Sequence, residues 1–386
     1  MTKTQSENTV TKINETVFYK EFTFDKNEFY PDDGTKELAD NVIWLDNLLF
    51  VNQIKERNIE NSKGNVDNWF KNKVLKKAKN QIKNTIDFLT KYQKIEIKNR
   101  KNQTLDISKV ENLNNINKLI IYQTQEELSK ENKLLKFYES KNSGYIHLFN
   151  IVDYYWICEY LITPTELDEY LKFRERIYLK HKPIISLCPE QYILAHFLNT
   201  PDETYINWEY PEIFKHIKKD LIDFDFSEYL TDFQNKIIRQ EQKSSTNYHS
   251  IIKEIAKLKR YELKEFKKRF QKSINDSRSN ERKLPYRFAS LRTKCGFVFI
   301  PVNKQNIDKW EIILRNLTEM FMYKHKLEKC LGIVIMKKGD FFDINWGFME
   351  HQWQFNQELD DLIKSENKIL GEPEFKEIER YKTNKK

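Results

Sequence analysis

Asp40, Gln53 and Lys55 are the residues of this chain whose types and spacing could do chemistry. Gln-x-Lys closes an apolar run, and Asp40 stands thirteen residues before Gln53 at the head of another. A carboxylate, an amide oxygen and an ammonium group brought together could hold a hard divalent cation and stabilise the charge of a pentacoordinate phosphorus. Glu37, three residues before Asp40 and read as the end of a short helix, would add a second carboxylate. The chemistry that uses such a set is hydrolysis of a phosphodiester. Glu37, Asp40 and Gln53, or the Ile54 carbonyl, would ligate Mg²⁺, with Mn²⁺ as a substitute, and Lys55 would carry the positive charge.

Two apolar runs must position these groups. Val42 to Leu45 and Leu48 to Ile54 are rich in β-branched and large residues and are separated by Asp46-Asn47, a hairpin signal. Antiparallel return brings Asp40 to the end of the ribbon that carries Gln53 and Lys55. Strand alternation puts Gln53 and Lys55 on one face and Ile54 on the other. Asp46 reads as a turn residue, although a shifted register would make it the ligand in place of Asp40.

The stretch resembles the PD-(D/E)XK nuclease superfamily, in which an Asp on one strand precedes a Glu, Asp or Gln two residues before a Lys on the next. Gln53 departs from the commoner Glu or Asp and is similar to the Gln-x-Lys of Mrr-type restriction endonucleases. The resemblance covers residues 17–125 and implies a restriction-endonuclease-like α/β core, a Mg²⁺-dependent endonuclease activity and double-stranded DNA as partner, in preference to RNA. Three further phrases, Lys36 to Asp40, Tyr145 to Asp153 and Pro164 to Arg174, resemble a group of uncharacterised bacterial proteins with the same N-terminal region. That likeness implies a setting in antiviral defence or genome maintenance, with a homodimer or a defence-complex partner as the associated expectation. The rival readings are an inactive nuclease fold that binds nucleic acid or acts as a scaffold, and a protein-interaction module in which the motif is accidental.

After the hairpin, Val74, Ala78, Ile82, Ile86 and Leu89 recur at spacings of three and four, which predicts a helix over 71–89 with Lys73, Lys76, Lys77, Lys79 and Lys83 on its other faces. Those lysines read either as a solvated face or as a contact for a polyanion. Leu119 to Tyr122 is the next strand, so hairpin, helix and strand follow in the order expected of the core. Residues 1–16 read as frayed, Val17 to Phe24 as an early strand, and 92–108 as a β-hairpin turning over Asn99 to Asn102.

From about Asp153 the pattern turns helical, with Tyr154 to Leu161 and Pro164 to Lys180 as segments. Asn247 to Asn275 reads as a long basic amphipathic helix with interleaved glutamates, and Ser273 to Pro285 as a linker. Gly296 to Pro301, Asp308 to Lys326 and Leu331 to Met336 read as strand, helix and strand. The expected domains are therefore a nuclease-like 17–125, a mainly helical 126–285 and a C-terminal α/β unit in 286–386. Asp340, Asp343, Glu350 and His351 could be drawn as a second metal site, but exposed acids around a loop and a helix start explain them more simply.

Composition bounds the rest. The 386 residues are 39% hydrophobic and 14% aromatic, enough for sizeable cores. The surplus of 66 basic over 58 acidic residues tolerates a polyanionic partner without demanding one. Cys158, Cys188, Cys295 and Cys330 are too far apart in sequence for a zinc motif, and they read as buried reduced thiols. The seven histidines sit beside no nucleophile signature, and no phosphate-cradling glycine loop is present. No apolar stretch is long enough for a membrane span and the N-terminus lacks a signal-peptide pattern, so the expected location is the cytoplasm.

Overall fold

The computed structural model describes residues 3–58, 60, 64–110, 115–141, 143–231, 233 and 248–365. Among them the chain forms two compact units, one of residues 3–219 with 229–231 and 233, the other of 220–228 and 248–365. Both are α/β.

The first unit opens with helix α1 (Gln5–Phe22), where residues 1–16 suggested a frayed end and Val17 to Phe24 a strand. Thr4 and Glu7 form a reciprocal capping box that satisfies the first free N–H groups. Val10, Asn14, Val17 and Phe18 then bury one face, with the Phe18 ring 5.1 Å from Phe50. The β-rich run is helical because burial against the sheet outweighs its local preference. The helix breaks at Tyr19 (φ 62°, ψ 155°), and strand β1 (Thr23–Lys26) follows.

Next come the short pair β2 (Glu28–Phe29) and β3 (Lys36–Glu37), then β4 (Asn41–Leu45) and β5 (Leu48–Glu56). The hairpin is antiparallel with Asn41 opposite Asn52 and Leu45 opposite Leu48, and Asp46 takes the left-handed turn at φ 55°. Helix α2 (residues 66–91) runs through Val66–Trp69, a π-helical stretch Phe70–Lys77 and Ala78–Lys91. The hairpin β6 (Glu96–Asn99) and β7 (Thr104–Asp106) extends the sheet edge beside β1. Strand β8 (Ile116–Gln123) lies parallel to β5.

The sheet does not stop at 125. Strands β9 (Phe137–Ser140) and β10 (Gly144–Asn150) complete eight strands in the order β7-β6-β1-β4-β5-β8-β10-β9, because the apolar Ile146–Phe149 run pairs parallel with β8. Alternation along β5 divides the core. Phe50 and Ile54 join α1 and helix α3 (Ile151–Tyr160) on one face, while Leu49 and Val51 join Phe70, Val74, Ala78 and Ile82 of α2 on the other.

In the second unit, α4 (His249–Ala256) and α5 (Arg260–Asp276) stand where a single long helix was expected. The chain continues through β11 (Tyr286–Ser290), β12 (Cys295–Val302), α6 (Trp310–Lys324), β13 (Lys329–Lys338) and β14 (Phe341–Glu350). The sheet order is β11-β12-β13-β14, with β12 and β13 parallel across α6. Residues beyond Asp340 form a strand, where a loop and a helix start were read. All four cysteines are buried free thiols, and among the described residues no helix is long and apolar enough to cross a membrane.

A buried ion pair ties the helices of the first unit to its sheet. Arg174, on the helix Pro164–Leu187, is fully buried and donates Nε to Glu190 Oε1 at 2.7 Å and Nη2 to Oε2 at 3.1 Å. It also donates to the carbonyls of Lys136 and Leu148, and its guanidinium lies 4.2 Å from the Phe149 ring. Burial pushes the Glu190 carboxyl up, but Arg174 and Lys136 outweigh it and hold it at about 2. A carboxyl held below its ordinary value stabilises the fold above that value and loses the contribution as pH falls from 4.5 toward about 2. Arg174→Leu strands a buried carboxylate and should cost about 3–5 kcal/mol in urea unfolding near neutral pH. The penalty should shrink as pH is lowered and Glu190 is protonated in the variant.

Candidate active site

The peptide leading into Asp40 is held on both sides. Leu38 N–H donates to the Asn27 carbonyl at 2.9 Å, the Thr85 hydroxyl of α2 donates to the Leu38 carbonyl, and Asn27 Nδ2 donates to the Ala39 carbonyl at 2.9 Å. This pinning explains why Glu37 lies on β3, with Glu28 as its partner, and not at a helix end. Beneath the opposite face, Asn41 Oδ1 accepts from Asn14 Nδ2 (2.8 Å) and Asn52 Nδ2 (3.2 Å). Tyr154 donates to Asn14 Oδ1 at 2.7 Å. These buried amides lock the strand register directly below the site.

Asp40 Oδ2 accepts from the Ile54 N–H at 2.6 Å and from Lys55 Nζ at 2.7 Å. The same ammonium donates to Gln53 Oε1 at 3.2 Å and to the Ile54 carbonyl at 3.0 Å. Three oxygens from three residues thus converge on one cation whose pair with Asp40 is largely screened from solvent, at side-chain exposures of 12% and 8%. Asp40 Oδ1 has no hydrogen bond among the described residues. The convergence lies at the carboxyl end of β5 beside parallel β8, where ligands of open α/β sheets bind. Lys55 faces Tyr122 of β8, whose ring meets Phe70 of α2 at 5.1 Å.

Beside it a cleft of about 180 Å³ is lined by Glu37, Leu38, Ala39, Gln53, Gln81, Asn84 and Phe88. Burial raises the Glu37 carboxyl above its ordinary value, and the Asp40 charge raises it further against the pull of Lys55. Glu7 also pushes Glu37 up, so the capped start of α1 brings a third carboxylate into the electrostatics of the site. On the cleft's helical wall, Gln81 Oε1 is buried and has no hydrogen-bond partner among the described residues.

Of the residues singled out in the sequence, Asp40, Gln53 and Lys55 meet, and Glu37 lines the adjoining cleft. Asp46 lies at the opposite end of the hairpin, its carbonyl taking the Trp44 indole N–H at 2.9 Å. The second acidic set does not converge: Asp343 pairs with Lys338 and Glu350 with Lys329, near opposite ends of β14. Glu7, Gln81, Asn27 and Thr85 were not singled out. The Thr-x-x-Glu capping box was the legible sign for Glu7; only tertiary contacts reveal the others.

The donor set suits a hard cation. Hard oxygens already converge on a positive charge, and a buried amide oxygen stands unpartnered in the adjoining wall. The carboxylate count is modest, since among the described residues no group of three or more His, Cys, Asp or Glu side chains is placed to hold a metal. Because Glu37 binds a cation only when ionised and its carboxyl is raised, divalent-ion affinity measured by calorimetry should fall with acidification already above pH 4.5. Glu37→Gln should weaken binding and remove that part of the pH dependence. No known protein family, curated protein or solved structure matches this chain.

Proposed function

We propose that this chain is a metal-dependent nuclease of the PD-(D/E)XK type that cleaves phosphodiester bonds, DNA in preference to RNA. One observation carries the reading. Asp40 Oδ2, Gln53 Oε1 and the Ile54 carbonyl surround Lys55 Nζ at 2.7, 3.2 and 3.0 Å. A lysine held among the oxygens suited to a cation is placed to work beside that cation on a phosphate.

Mg²⁺ or Mn²⁺, when bound by Asp40, Gln53, the Ile54 carbonyl and Glu37, supplies Lewis acidity toward the phosphoryl oxygens and an attacking water. The residues do the positioning. Asp40 is aimed by the Ile54 N–H and by the pinned Leu38–Ala39 peptide, so its oxygens need little reordering on binding. Lys55 offers its ammonium to the negative charge that grows on phosphorus. Gln53, buried to 1% exposure, contributes an amide oxygen without the negative charge of a Glu, which lowers the expected metal affinity.

A second reading is a nucleic-acid binder or scaffold on the same fold without catalysis. The direct Lys55–Asp40 pair favours it, because a lysine that neutralises the one acid it pairs with among the described residues can be structural. The bacterial antiviral setting implied by the weaker resemblance belongs to either version.

Asp40→Asn keeps the size of the side chain and an acceptor for the Ile54 N–H while removing the charge. It should reduce Mg²⁺-dependent cleavage of duplex DNA by about a hundredfold or more, with the far-UV circular dichroism of the folded chain retained and the unfolding midpoint lowered because Lys55 loses its charged partner. Lys55→Ala should abolish cleavage. Undiminished cutting in both variants would sink the proposed mechanism, and a wild-type chain that binds duplex equally in EDTA and in Mg²⁺ but never cuts it is the second reading.

A further inference from the structure

Helix α2 carries a charge pattern that its packing does not require. Between Asn68 and Ile86 stand six lysines, at 71, 73, 76, 77, 79 and 83, and no Asp or Glu. Lys83 pairs with Asp87, and Lys79 lies over the Tyr138 ring at 5.4 Å. Lys73, Lys76 and Lys77 are exposed, with no carboxylate in ion-pair distance among the described residues. Neighbouring like charges one turn apart destabilise a helix. The other basic helix behaves differently: in α5, Arg269 pairs with Glu265 and Lys264 with Asp223, as expected of a solvated face.

Position adds to charge. Gln81, Asn84 and Phe88 of α2 wall the cleft beside Asp40 and Lys55, and Lys77 precedes Gln81 by four residues, so it continues that row by one turn. The exposed lysines lie on the π-helical stretch, whose Phe70 touches the Tyr122 ring opposite Lys55. The uncompensated charge therefore begins where the cleft ends. From Lys73 to Lys77 it extends along about 6 Å of helix, comparable to about two phosphates of one strand.

We infer that the Lys73, Lys76 and Lys77 face of α2 is a phosphate-backbone docking surface that holds double-stranded DNA, independent of base sequence, against the cleft. The inference rests on the nuclease-fold reading for the identity of the ligand but not for its cleavage. Lysine ammonium groups act as point charges on phosphate and carry no base readout, so binding here is salt-sensitive and sequence-indifferent.

The test uses the full-length chain, fluorescently labelled 20-base-pair duplexes of two unrelated sequences, and EDTA, so that binding is read without hydrolysis. K73Q/K76Q/K77Q should bind about tenfold or more weakly near 0.1 M salt and reduce the slope of log K against log salt by about two to three. K73R/K76R/K77R should restore binding, which a loss through misfolding would not allow. A control triple, K268Q/K304Q/K309Q, removes the same charge from exposed positions of the second unit and should bind as wild type. Equal losses in both Gln triples, an unchanged slope, or preference for anionic vesicles over duplex would overturn the inference. Lost binding in the α2 triple with a wild-type chain that never cuts in Mg²⁺ leaves the docking surface standing and removes the nuclease reading. Wild-type cutting with undiminished binding in the triple does the reverse.

Discussion

The register of the β4–β5 hairpin is the constraint on which the candidate site depends. Asn41 opposite Asn52 puts Asp40 beside Gln53 and lets the Ile54 N–H reach the carboxylate. A one-residue slip would turn Gln53 and Lys55 into the α1 face and bury their polar ends in the cluster that holds Phe18 and Phe149. Two devices oppose that slip: the Asp46-Asn47 turn at one end, and the Asn14–Asn41–Asn52 amides at the other. The amides matter because buried polar groups are costly when unpaired, so a shifted strand would lose apolar burial and hydrogen bonds together.

The same ribbon sets the electrostatics. Lys55 and Asp40 are largely removed from water, so each is held by the other and by neighbouring dipoles, while Glu37 on the cleft wall feels Asp40 and burial and is raised. A site built this way has its positive and negative groups oriented in advance. Around it the fold separates two kinds of basic residue. Some are neutralised inside the unit, as Arg174 is by Glu190, and others are left facing solvent on α2 with no partner among the described residues. The first kind fastens strands β9 and β10 to the helices behind them; the second is free to meet a polyanion.

Much of this was legible in the amino-acid order. Two short apolar runs, the Asp-Asn turn between them and the three-and-four spacing of Val74, Ala78 and Ile82 specify the hairpin and α2, and they bring Asp40 to Lys55 through contacts that are mostly local in sequence. The C-terminal strand, helix and strand were legible for the same reason, since buried parallel strands read as unbroken apolar runs. What sequence by itself determined, then, was the hairpin, its crossover helix and the meeting of the acid, the amide and the amine.

Tertiary structure decided the remainder. Val17 to Phe22 has strand-like residues, yet it is helical because its apolar side packs on Phe50 and its start is capped far upstream at Thr4. Strands β9 and β10 belong to the first sheet only because β8 offers a parallel edge, a pairing that no local periodicity can announce. Glu7, Asn27, and Gln81 with Thr85 of α2 reach the site from three separate segments, and their placement depends on helices docking over the sheet. Local preferences act over a few residues, whereas burial and hydrogen bonding between distant segments are settled only when the whole chain closes on itself.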